Sequence, residues 1–209
     1  MIYNVIATGS SGNCEIAHKE IMIDCGVTYS AIKSYVKDLK IILLSHKDMD
    51  HFNLATIKKM QQMRPSIRIG CGEWMVKLLE GVRNIDVFDF GKWYDYGSFK
   101  IAIGKLYHGI TPNCFFRIEK NGHKIFRATD TCHLEGIAAM NYDLYALEHN
   151  YCEEKISEII KFARLNGDFT HSERAVNTHL SEQQAKTWLD KNRGEHSEVI
   201  RLHESKSNM

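Results

Sequence analysis

The 209-residue chain has only two prolines, Pro65 and Pro112, and almost no net charge, with 27 Lys+Arg against 26 Asp+Glu. Near-neutrality argues against a protein that holds nucleic acid mainly through a broad basic surface. The longest clean aliphatic run, Ile41-Ile42-Leu43-Leu44, is far short of the ~20 residues a helix needs to cross a bilayer. The start, Met1-Ile2-Tyr3-Asn4, has no basic segment leading into an apolar one, so no secretory signal is read there. No Cys-x-x-Cys pair occurs among the six cysteines, Cys14, Cys25, Cys71, Cys114, Cys132 and Cys152. They read as reduced, mostly buried thiols of a cytoplasmic protein rather than a disulfide framework or zinc finger. There is no linker, low-complexity tract or internal repeat. With 44% hydrophobic and 25% charged residues, disorder is excluded as well. A length near ~150 residues per domain is read as one domain over 1–203, with a polar tail at 204–209.

What the chain has is histidine, eleven in all, set among alternating strand and helix patterns. Strands are expected at Tyr3–Ala7, Ile21–Ile23, Lys40–Leu44, Ile67–Ile69 and Ile85–Phe88, with Gly9-Ser10-Ser11-Gly12 as a tight turn. Helices are expected over Thr28–Lys37, from Asn53 with a stripe of Leu54, Ile57, Met60 and Met63, and over Glu73–Leu79. The middle is β-rich, with a hairpin turning at Asn121-Gly122. A strand at Leu144–Leu147, a helix over Glu153–Leu165, a capping box Ser181-Glu182-Gln183-Gln184 and a strand at Val199–Leu202 complete the pattern. Strands and helices in this order specify a layered α/β or α+β domain.

Four potential metal ligands crowd the loop after the buried strand Lys40–Leu44: His46, Asp48, Asp50 and His51. Two carboxylates held this close repel unless cations neutralise them. Imidazole with carboxylate is the donor set of zinc, manganese or iron. His108, Asp130 and His179 each follow a strand or precede a helix, and together they supply the donors a second metal needs. Asp130 is the candidate bridging carboxylate of a dinuclear site.

This order resembles the metallo-β-lactamase superfamily: an early Asp (Asp24), a His-x-His-x-Asp-His loop (here His46-x-Asp48-x-Asp50-His51), a lone His (His108), a bridging Asp (Asp130) and a later His (His179). Gly9–Cys14, Ala128-Thr129-Asp130, Glu148-His149-Asn150 and His179-Leu180-Ser181 are similar to its YycJ/WalJ-like branch. The resemblance implies a four-layer αβ/βα sandwich and two divalent ions, zinc or manganese with iron as the alternative. His46, Asp48 and His108 would hold the first ion, and Asp50, His51 and His179 the second. Asp50 would also orient the hydroxide nucleophile, and Asp24 would accept hydrogen bonds that orient the loop. The activity implied is phosphodiesterase or nuclease action on nucleic acid or nucleotides, with no membrane partner. Asp48 stands where the superfamily has its second histidine, as in the iron-binding flavodiiron branch. Its harder oxygen favours manganese or iron over zinc. An iron redox protein and a non-catalytic module on a degenerate site are therefore the alternatives. Of the remaining histidines, His149 follows a strand end where substrate could touch it. Cys132 and His133 are read as loop lining, and His203 as having no ligand context.

Overall fold

The computed structural model describes residues 2–167 and 170–205, and of His171 only the backbone. The last four positions of the expected tail lie outside the described residues. The chain forms two units, Met1–Tyr94 and Asp95–Met209.

In the first unit a six-stranded sheet runs in chain order: β1 (Tyr3–Ala7), β2 (Cys14–Ala17), β3 (Ile21–Ile23), β4 (Ile41–Leu44), β5 (Arg68–Gly72) and β6 (Ile85–Phe88). Strands β1 to β3 pair antiparallel, and β3 to β6 pair parallel. All four residues of β4 are buried, as expected of a parallel strand covered on both faces. Each such aliphatic side chain contributes roughly 1.5–3 kcal/mol on leaving water. Ile42 and Leu44 join Met22, Ile57, Met60, Ile69 and Met75 in the core of this unit.

Helix α2 (Leu54–Met63) opens as expected, with the Asn53 side chain accepting from the Thr56 N–H. Its stripe is narrower than the sequence suggests: Thr56, Ile57 and Met60 are buried, whereas Met63 is exposed. Met63 is the helix's last residue and lies past the end of the covered face. The helix expected over Thr28–Lys37 is also shorter, α1 (Tyr29–Ile32). Bonds from Tyr35 N–H to Ile32 O and from Asp38 N–H to Tyr35 O continue the segment as tight turns. That winding puts Ile32, Val36 and Leu39 into the core together. A third short helix, α3 (Glu73–Val76), follows β5.

The second sheet has the order β12-β11-β10-β9-β8-β7. Its edge, β7 (Trp93–Asp95), is where the chain passes from one unit into the next. Strands β8 (Lys100–His108), β9 (Thr111–Lys120) and β10 (His123–Ala128) form an antiparallel meander turning at Asn121-Gly122. Strands β10, β11 (Leu144–Glu148) and β12 (Glu198–Leu202) run parallel. Three helices belong to this unit: α4 (Glu153–Asn166), α5 (His171–Thr178) and α6 (Glu182–Asn192). Helix α5 has no counterpart in the sequence reading, because HSERAVNT offers only two aliphatic residues, Ala175 and Val176, too few to mark a buried stripe. Helix α6 opens on the full capping box of Ser181 and Gln184. It buries Ala185, Trp188 and Leu189 against Phe126, Tyr145 and Leu147 of the sheet.

The topology matters because β10, β11 and β12 end on the same edge. Ala128 pairs with Leu147, and Glu148 with Leu202. Asp130, Glu148 and His203, distant in sequence, are thereby carried to the carboxyl ends of adjacent parallel strands, the edge on which α/β sheets place ligands.

Candidate metal centre

In the first unit the loop Ser45–Phe52 is anchored by backbone bonds. Asn13 N–H donates to Asp50 O at 2.6 Å, Cys25 N–H to His51 O at 2.8 Å, and Gly26 N–H to Asn13 O at 2.9 Å. The Gly9–Gly12 turn is tight, as read from the sequence, with Gly12 N–H bonded to Gly9 O. Its further use is to place Asn13, which the sequence reading does not single out. The Asn13 amide oxygen accepts from Gly9 N–H at 2.8 Å, and its nitrogen lies 3.2 Å from Asp50 Oδ2 and 2.8 Å from His51 Nε2. Gly26 packs so closely that a Cβ there would sit 1.8 Å from the Asp50 carbonyl oxygen. Gly26→Ala is therefore expected to cost roughly 3 kcal/mol or more and to displace Asp50 and His51. Denaturation midpoint and metal content of the same preparation check it.

Asp24 acts as the sequence suggests, as an acceptor. It follows β3 at φ +54°, a left-handed conformation rare outside glycine that clusters at functional sites. It is fully buried and accepts from Ser45 N–H and Ser45 Oγ at 2.8 Å and from His51 Nδ1 at 2.7 Å. The Ser45 hydroxyl has one proton and gives it to Asp24, so it accepts from His46 Nδ1, 2.9 Å away. His46 and His51 thus both carry their proton on Nδ1 and keep Nε2 as an acceptor, that of His51 facing the Asn13 amide N–H at 2.8 Å. This is the way a metal-binding histidine is normally held. The two rings are 4.2 Å apart, with Asp48 Oδ2 3.7 Å from His46 Nε2 and Asp50 Oδ2 3.6 Å from His51 Nε2. Asp24→Asn keeps the shape but loses the carboxylate behind His51. It is expected to weaken metal binding about 10–100-fold with little loss of fold, read by competition with a chromophoric chelator.

The second unit repeats this logic at its strand ends. His108, the last residue of β8, donates Nδ1–H to the Thr178 carbonyl at 2.9 Å, again leaving Nε2 to accept. Asp130, Glu148, His179 and His203 each place one donor atom within 4.8 Å of the others. Asp130 and His203 sit just past their strands at φ +57° and +53°. Asp130 Oδ1 is 3.4 Å from His179 Nδ1 and 3.5 Å from His203 Nε2. Glu148 Oε1 is 2.6 Å from His179 Nδ1 and 3.5 Å from His203 Nδ1, while Glu148 Oε2 accepts from the Thr131 and Leu180 N–H groups. The His179 and His203 rings stack at 5.2 Å.

Complete burial favours a neutral Glu148, but hydrogen bonds from His179 and His203 outweigh it and hold the carboxyl below its ordinary range. Burial also disfavours a charged His179; the hydrogen bond and charge of Glu148, with the charge of Asp130, more than offset this and raise its pKa.

His203 therefore corrects the sequence reading, which saw no ligand context for it. Its nearest partners lie in segments more than fifty residues away, and Asn150 Nδ2 holds its backbone carbonyl at 3.0 Å across a separation of 53. The only sequence clue was the Glu148-His149-Asn150 segment. Within it, Glu148 faces the cluster and His149 does not: His149 is buried with Nδ1 bonded to Leu147 O. Cys132 and His133 line a loop, the latter stacked on Tyr107 at 4.6 Å.

The cysteines carry no chemistry here. All six are free, four of them buried. Burial, reinforced by Asp24, pushes the Cys25 thiol up to about 12, and burial does the same to Cys71.

In each unit imidazole nitrogens and carboxylate oxygens converge, a donor set that fits divalent cations. The architecture is the metallo-β-lactamase fold. Among solved structures, the metallo-β-lactamase fold protein YhfI of Bacillus subtilis matches with TM-score 0.72 and 18% identity, over 98% of this chain and 86% of that one. The short form of human tRNase Z matches with TM-score 0.73 and 15% identity, over 99% and 93%. A diphosphatase of the PhnP family matches with TM-score 0.64 and 12% identity, over 99% and 87%. No protein-family model matches the chain. A curated relative, mouse cytidine monophosphate-N-acetylneuraminic acid hydroxylase, is 33% identical over 101 residues, 43% of this chain. The chain spans only 17% of that relative's length. Among the described residues, no helix is long and apolar enough to cross a membrane.

Proposed function

We propose that the chain is a metal-dependent hydrolase of phosphodiesters, acting on nucleic acid or nucleotides, and that it belongs with the YycJ/WalJ-like branch. The observation that carries the reading is the cluster of Asp130, Glu148 and His203, buried at the ends of parallel strands, with the half-buried His179 that closes α5. The fold shared with tRNase Z and with the diphosphatase supports it.

In this reading His46, Asp48, Asp50, His51, His108, Asp130 and His203 would hold two divalent ions. When bound, such ions acidify a water and stabilise charge on the attacking and leaving oxygens of a phosphodiester. Asp50 orients the attacking water. Asp24, Ser45 and Asn13 keep the loop and its ring tautomers in place. His179 is reassigned from ligand to proton donor: with Nδ1 held by the buried Glu148 carboxylate at 2.6 Å, its Nε2 can give a proton to the departing oxygen. A carboxylate behind an imidazole orients the ring and stabilises its charged form.

Asp48 favours one second reading, an iron-dependent redox protein, since it adds a hard oxygen donor to the first metal. The curated relative is named a hydroxylase. Metal analysis of protein purified without added metal separates the two. About two zinc or manganese ions per chain, with Mn²⁺-dependent cleavage of generic phosphodiesters, DNA, RNA or cyclic nucleotides, is the expected result. Stoichiometric iron without hydrolysis favours the redox reading, and no metal at all overturns both.

A further inference from the structure

The second unit contains an open cavity of about 560 Å³ that the metal chemistry does not use. Its size lies within the ~300–1,000 Å³ typical of small-ligand sites. One wall is the loop 133–137, which follows Asp130 by three residues, and the other is Leu180, next to His179, with α6 along its length from Gln183 to Asn192. The floor is apolar and rigid, made by Leu134, Ile137, Leu180 and Trp188. The Trp188 indole is pinned from two sides: Nε1 donates to Ile137 O at 2.8 Å, and the ring stacks on Phe126 at 5.0 Å. Leu180 ties the floor to the candidate site, because its N–H donates to Glu148.

The lining carries two carboxylates and one ammonium, Glu135, Glu153 and Lys191; Glu153 already accepts from Ser181 Oγ at 2.6 Å, which leaves Glu135 and Lys191 for a ligand. Neither side chain is engaged in a hydrogen bond or ion pair with the described residues. A flat hydrocarbon would satisfy the floor and leave this rim pair unused. A heteroaromatic ring carrying an amino group beside a carbonyl satisfies both, with the amine donating to Glu135 and the carbonyl accepting from Lys191.

We propose that this cavity binds an amino-bearing nucleobase, cytosine or guanine, and so positions the phosphodiester attached to it beside His179. The proposal rests on the phosphodiesterase reading for the second half of that statement only, and the test separates the two.

The probes for the cavity are nucleosides, which lack phosphate and so do not depend on bound metal. Titrating the full chain with cytidine or guanosine is expected to shift the Trp188 indole N–H resonance, identified from its loss in Trp188→Phe. Uridine and ribose should shift it at least about tenfold less readily, a difference of ~1.4 kcal/mol that one charge-assisted hydrogen bond supplies. Glu135→Gln should remove the preference for cytidine over uridine. Thr187→Trp, on the exposed side of α6, should fill the cavity and abolish the shift without disturbing the fold. In turnover, Thr187→Trp should raise KM for a cytidine-bearing phosphodiester about tenfold and leave kcat and KM for bis(p-nitrophenyl) phosphate unchanged.

No nucleoside-dependent shift, or an equal response to ribose, overturns the proposal. A Thr187→Trp effect equal on both esters overturns the positioning half. Nucleoside shifts in a protein that cleaves no phosphodiester would instead retain the base site and remove the hydrolase reading.

Discussion

Asp130→Ala is expected to strip the protein of both metal ions and abolish phosphodiester cleavage. Asp130 is almost completely buried, and its carboxylate faces His179 and His203 at 3.4 and 3.5 Å. In the proposed reading Asp130 would supply an oxygen to each ion, so truncation to a methyl would remove a donor from both at once. The loss should exceed the ~10–100-fold that follows from removing a residue behind a ligand, such as Asp24. The backbone has reason to hold: Asn113 Nδ2 donates to the Thr129 and Asp130 carbonyls at 2.9 and 2.8 Å, independent of the side chain. Alanine also tolerates φ +57° less well than aspartate, so a matched Asp130→Asn protein separates loss of charge from backbone strain. Elemental analysis of the purified variants is the measurement. Retention of one ion would make Asp130 a terminal ligand rather than a bridge.

His179→Gln is expected to lower kcat by roughly 10²–10⁴-fold, the contribution of a positioned proton donor, with metal content close to that of the unaltered chain. Nδ1 of His179 is 2.6 Å from Glu148, a residue fully buried and further held by two backbone N–H groups. His203 stands in the same cluster, and in the proposed reading it would supply the imidazole that the sequence pattern assigned to His179. Glu148→Gln should reproduce most of the loss, because an amide cannot stabilise the charged ring. A substrate with a good leaving group, which needs no protonation, should recover most of the rate in both variants; a structural defect would slow all substrates alike. Loss of one ion in His179→Gln would return this residue to the metal, as the sequence pattern has it.

Much of this protein is legible in the chain because the information is local. The buried strand Ile41–Leu44, the Asn53 cap, the Ser181 capping box and the Asn121-Gly122 hairpin are each written in a few consecutive residues. So is the His46–His51 loop, where ligand spacing and strand-end placement coincide. The extent of α1 was not legible, because whether the chain continues as helix or tightens into turns depends on where Ile32, Val36 and Leu39 find their core. Nor was α5, whose residues have too little apolar period to signal a helix on their own.

For the candidate site, the sequence by itself determined the candidate donor types, their order along the chain and the placing of Asp24 as a hydrogen-bond acceptor. Only the tertiary structure decided how they are shared. Pairing of β12 alongside β11, in parallel and in a register that sets Glu148 beside Leu202, brings His203 into the cluster. Strand alternation aims Glu148 at His179 and turns His149 away. The first outcome depends on hydrogen-bonded register between segments more than fifty residues apart and the second on a contact across 31 residues; no local pattern encodes either, because residue spacing along a strand says which face a side chain takes but not what lies opposite.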